Sequence, residues 1–159
     1  MKGKDIAHWI TTVYVAFAMF YGGLAEVLDA SVRLSISSIG IATVVQILGY
    51  PPYFLYIIGT WKMLGAIAIL VPRFPRLKEW AYAGIFFNTT GALISWLAVT
   101  VYGGVQIPVG YGSPAFHLAN DLHLIVLALA SWALRPQSRR LGNIFPTRWI
   151  LQTVADKKP

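Results

Sequence analysis

A few residues in this chain have side chains that could do chemistry in an apolar setting. Lys62 is the one charged residue between Tyr53 and Val71. Glu26, Asp121, His117, His123, Asn88 and Asn120 are further polar groups set inside long apolar runs. An ionisable side chain in hydrocarbon costs about 2.5–3.5 kcal/mol on insertion scales, so it is retained for a partner or a ligand. Lys62, Asp121, His117, Glu26, Asn88 and Asn120 are therefore the expected ligand-binding set. The chemistry they offer is hydrogen bonding to a polar-headed lipophile such as a quinone, with Lys62 or His117 donating to a carbonyl oxygen. No catalytic residue is identified. Ser113, His117 and Asp121 have the right types for a hydrolase, but nothing marks a nucleophile elbow or an oxyanion hole. His117 and Asp121 at i, i+4 with Glu26 would give a metal at most three ligands, and His123 projects about 120° away from His117 on an ideal helix. No metal site is expected.

The elements that must position these residues are apolar helices. Of 159 residues, 57% are hydrophobic and 12% charged, with a mean hydropathy of +0.61. A soluble domain carries about a quarter charged residues. Four runs near 6–28, 53–71, 80–101 and 116–134 are each about as long as a helix needs to cross ~30 Å of hydrocarbon. Their lack of period-two alternation excludes a barrel. The expected fold is all-α: a transmembrane four-helix bundle over residues 1–134, followed by a basic cytoplasmic tail over 135–159. The first run is too long for a signal-peptide core and reads as a retained helix.

Charge sets the expected orientation. Lys2, Lys4, Arg73, Arg76, Lys78, Arg135, Arg139, Arg140, Arg148, Lys157 and Lys158 fall on one side of a four-span chain, which is eleven of thirteen basic residues. The positive-inside rule then places both termini in the cytoplasm. The net charge of +7 is explained by that bias, so no nucleic-acid partner is expected. With no cysteine, thiol redox chemistry and disulfides are excluded.

Between spans one and two, Val32–Leu48 is apolar with scattered serines and suits a short interfacial helix. Gly49-Tyr50-Pro51-Pro52 is a stiff turn into span two. Tyr102–Ala115 is uncharged and Gly-rich, and it suits a lid or a partner surface. Small and polar residues at helical spacing mark the expected inward faces. These are Ala18, Gly22 and Glu26; Gly59, Lys62 and Ala66; Ala81, Gly84, Asn88, Gly91 and Ser95; and His117, Asp121, Leu124, Ala128 and Ser131. Matching depths favour pairing Lys62 with Asp121 over Glu26. Trp9, Tyr53, Trp80, Tyr82 and Tyr102 sit at span ends and read as interfacial anchors.

The segments Leu48-Gly49-Tyr50-Pro51-Pro52-Tyr53, Trp61-Lys62-Met63-Leu64-Gly65-Ala66, Lys78-Glu79-Trp80-Ala81-Tyr82-Ala83-Gly84 and Gly91-Ala92 together resemble the DoxX-like family of small bacterial membrane proteins. The resemblance implies a multi-pass protein of the bacterial inner membrane with both ends inside. Relatives are linked to quinone-dependent sulfur oxidation and to membrane oxidoreductase complexes. It thus implies an accessory subunit of a larger redox-linked assembly, contacting lipid and either other membrane subunits or copies of itself. The alternatives are a stand-alone quinone-binding pocket protein and a small proton-coupled carrier. The chain departs from relatives in one place: the residue after Ser95 is Trp96, where relatives often carry histidine, and no Gly-Asp pair follows.

Overall fold

The computed structural model describes residues 3–32, 48–72, 74–102 and 113–136, the side chains of 29–32 excepted. They form four α-helices and no strand: α1 (Gly3–Val32), α2 (Phe54–Leu70), α3 (Pro75–Tyr102) and α4 (Pro114–Ala133). The expected interfacial helix in Val32–Leu48, most of the connection Tyr102–Ala115 and the tail beyond 136 lie outside the described residues.

Local chemistry explains the ends. Gly49 takes φ 83°, a left-handed turn that glycine adopts without a Cβ penalty, just ahead of the two prolines. Proline opens α3 at Pro75 and α4 at Pro114, where its missing N–H would have had no partner anyway. Ser113 caps α4 by accepting from the Phe116 N–H at 3.2 Å. α1 and α3 outrun their apolar runs, most of all α3, which begins five residues before Trp80. Polar first and last turns are tolerated there because the helix still bonds its own backbone.

α1, α3 and α4 are long and apolar enough to cross a membrane, and α2 is apolar but has 17 residues. At 1.5 Å per residue α2 spans about 25 Å, at the short end of the range that crosses hydrocarbon. The chain runs up, down, up, down. The start of α1 meets the end of α4 through His8 and Ser131, so both ends of the bundle lie together. In cross-section the order is α2, α1, α4, α3, and the diagonal pairs barely touch. The core is a layer of Val15, Met19, Ala66, Ile85, Leu124 and Ala128 near mid-length, continued by Ile69 toward the end of α2.

The tightest approach is between α1 and α2. A Cβ placed on Gly59 would lie 2.6 Å from the Gly23 carbonyl oxygen and 2.8 Å from Val27 Cγ2. The contact glycine on α1 is Gly23, not the expected Gly22, around which a Cβ would meet nothing within 4 Å. Neighbouring positions differ by 100° around a helix, and two adjacent glycines hide which one faces inward. The inward face of α3 also differs from expectation. Lys78, Ala81, Tyr82, Ile85, Thr89 and Trp96 are buried, while Gly84 and Gly91 face away from the core. Larger side chains fill the bundle centre because four helices leave more space there than small residues occupy.

Candidate functional site

The Gly23–Gly59 contact brings α1 and α2 close enough for Glu26, one turn further on, to reach Lys62. The two form a salt bridge, with side chains 12% and 19% exposed respectively. The expected Lys62–Asp121 pair is thus replaced by Lys62–Glu26. Depth pointed to Asp121, but helix adjacency outweighs it. α2 packs against α1 and lies diagonal to α4, so the carboxylate on the adjacent helix wins. Asp121 remains close enough for Lys62 and His117 to act on it through space. Its Oδ2 and the Glu26 Oε2 are buried without a hydrogen-bond partner among the described residues.

Lys62 also lines a groove of about 520 Å³ between α2 and α3. Met19 of α1 contributes to its lining, with Ile58, Gly65 and Ala68 on α2 and Ala81, Gly84 and Ile85 on α3. Lys62 and Asn88 are the polar side chains in that lining. The small stripe of α3 thus forms one wall of the groove. Trp61, Trp80 and Phe87 also line it and are 69%, 81% and 70% exposed, so the groove opens sideways, toward the surface that would face acyl chains. Beyond Asn88 along α3, Tyr50 Oη and Ser95 Oγ bond at 3.0 Å and tie the start of α2 to α3. At the other end, buried Lys78 donates to the Ile69 carbonyl at 2.9 Å, filling one of the carbonyls that the last turn of α2 leaves open.

The structure does not gather all the expected residues into one pocket. Lys62 and Asn88 are in the groove, and Glu26 stands behind Lys62. His117 and Asp121 are on α4, outside the groove lining, and Asn120 is exposed. His117 stacks on buried Trp96 with centroids 4.0 Å apart and planes at 6°. His123 meets Tyr14 edge-on on the outer surface. No group of three or more His, Asp or Glu converges among the described residues.

A second polar layer, at the end bearing Lys78 and Arg135, was not legible as such. Tyr82 Oη lies 2.7 Å from Ser131 Oγ, which lies 2.6 Å from Thr12 Oγ1. Thr12 donates to the His8 carbonyl at 2.6 Å. His8 Nδ1 is 3.1 Å from the Ser131 carbonyl oxygen. One arrangement satisfies all of these: Tyr82 donates to Ser131, Ser131 to Thr12, and His8 to the Ser131 carbonyl. All four side chains are at least nine-tenths buried, so Tyr82 is a core residue and not an interfacial anchor. Arg135 is buried too: it pairs with Glu79 at 2.8 Å and lies 5.1 Å from the Tyr82 ring centroid. Two residues counted as orientation charges, Lys78 and Arg135, therefore also hold the helices together. The signal in the sequence was the i, i+4 pair His8/Thr12 and the Glu79/Tyr82 spacing, both masked by their place at span ends.

No curated protein and no solved structure gives a significant match to this chain. A sequence model of the DoxX-like family matches residues 10–131, which takes in parts of all four helices. The chain is a membrane protein and belongs to the DoxX-like family.

Proposed function

We propose that the protein binds a lipophile with a polar, quinone-like head in the groove between α2 and α3. The observation that supports this reading is the groove itself: about 520 Å³, apolar, open toward lipid, with Lys62 and Asn88 in its lining. Ligand sites are commonly apolar hollows of this size with few polar groups that fix orientation. An ammonium has three N–H donors, so Lys62 can serve Glu26 and a ligand carbonyl together. In this reading the protein sits in the bacterial inner membrane with both termini in the cytoplasm. It acts as an accessory subunit that holds the lipophile for a larger redox-linked assembly, since the cysteine-free chain brings no thiol redox chemistry of its own.

Gly84→Leu tests this. A Cβ on Gly84 meets nothing within 4 Å, and the residue lines the groove. The new side chain therefore fills the groove without displacing a helix, and loss of a mid-helix glycine favours the helix by up to about 1 kcal/mol. Binding of a short-chain quinone to protein in lipid nanodiscs, read by quenching of Trp61 and Trp80 fluorescence, is expected to fall at least tenfold while thermal stability is kept. Undiminished quenching in the Leu variant would refute the groove as the site.

A further inference from the structure

We propose that Glu26 sets the charge of the ligand: by neutralising Lys62 it restricts the groove to uncharged, hydrogen-bond-accepting heads and turns away anionic lipids. This rests on the groove reading above.

The argument starts from the charges around Lys62. α2 supplies the ammonium, α1 supplies Glu26, and α4 supplies Asp121 and His117 within electrostatic reach of each other. α3 contributes the uncharged Asn88. A lone lysine in an apolar groove would attract carboxylate, sulfonate and phosphate heads, because an ionised partner lowers the cost of an isolated charge in hydrocarbon. Here that partner is already built in. The Glu26 carboxylate is bonded to Lys62 and its side chain is 12% exposed, so it neither floats free nor lines the groove. An anionic head would have to displace Glu26 or add a negative charge beside it and near Asp121. Both cost far more than in water, since nothing in the apolar wall screens the repulsion. A ketone or quinone oxygen asks only for one of the remaining ammonium hydrogens and the Asn88 amide. Glu26 is therefore a positioning residue that selects by holding Lys62 and its charge.

The test uses the full chain in phosphatidylcholine nanodiscs with two brominated probes of equal chain length, a long-chain alkyl ketone and an alkyl sulfonate. Each is read by tryptophan quenching, with Gly84→Leu giving the background from probe outside the groove. Wild type is expected to bind the ketone at least tenfold more tightly than the sulfonate. In Glu26→Gln the sulfonate gains at least tenfold while the ketone changes less than threefold. Lys62→Gln, which keeps a neutral donor, gains nothing for the sulfonate. A structural role for Glu26 would weaken both probes together and would not close the gap between them. Wild type binding both probes alike, or Glu26→Gln gaining no sulfonate affinity, overturns the selection by Glu26 while leaving the groove standing. If neither probe binds wild type above background, the groove reading falls with it. Should Glu26→Gln fail to fold, the wild-type ratio and Lys62→Gln still decide.

Discussion

Gly59→Val is expected to disrupt the bundle, with the largest stability loss of any single substitution considered. Its first added carbon would sit 2.6 Å from the Gly23 carbonyl oxygen and 2.8 Å from Val27 Cγ2, and a backbone atom cannot rotate aside as a side chain can. The helices must separate. Overpacking of this kind costs about 1–3 kcal/mol by itself. Separation also pulls Glu26 from Lys62, and breaking a buried ion pair adds about 3–5 kcal/mol. Gly23→Ala meets the same oxygen problem from the other side, at 2.5 Å from the Gly59 carbonyl. Gly22→Ala is the control, since its Cβ enters open space. Thermal unfolding in mild detergent should show Gly59→Val aggregating or unfolded and Gly22→Ala at wild-type stability or slightly above. Equal effects at Gly22 and Gly23 would mean that α1 is rotated from the position described.

The second large effect concerns the buried hydroxyl chain. Ser131→Ala strips the acceptor from the Tyr82 O–H and the donor from Thr12, both buried. A buried donor left without an acceptor costs about 1–3 kcal/mol, so a loss near 2 kcal/mol is expected. Tyr82→Phe removes only a donor, and Ser131 keeps Thr12, so the loss should be about 1 kcal/mol. The signs make the test sharp. Adding Tyr82→Phe to Ser131→Ala removes the stranded O–H, so the double variant should be no less stable than Ser131→Ala alone. Additive losses across that double-mutant cycle would show that the Tyr82 and Ser131 hydroxyls do not share a hydrogen bond.

The two predictions also mark where the sequence stops informing. Four helices follow from four apolar runs, because lipid forces each backbone to bond within itself. The stripes Gly59–Lys62–Ala66 and Leu124–Ala128–Ser131 were readable because helical spacing fixes a face. What spacing cannot fix is which face meets which helix. Lys62 had two carboxylates at suitable depth, and only the adjacency of α1 and α2 selects Glu26. On α3 two stripes competed. The small one, Gly84–Asn88, lines the groove, and the larger one, Tyr82–Ile85–Thr89, fills the core. Tyr82, Lys78 and Arg135 looked like surface residues because interfacial anchors and interior polar groups are the same residue types at the same depth. The groove needs both stripes placed at once, so no single run of residues could have revealed it.

The apolar layer at mid-length has a consequence for charge movement. Ser131, level with Thr12, and Asp121 are ten residues apart, about 15 Å along α4. Between their levels the described interior holds Val15, Met19, Ala66, Ile85, Leu124 and Ala128, and Thr89 turns its hydroxyl back onto Ile85. There is no ionisable side chain among them. A proton hopping inward from either face would meet an apolar gap with no relay across it among the described side chains. Liposomes bearing the protein should hold an imposed pH gradient as long as empty ones do, as expected of a bundle that insulates rather than conducts.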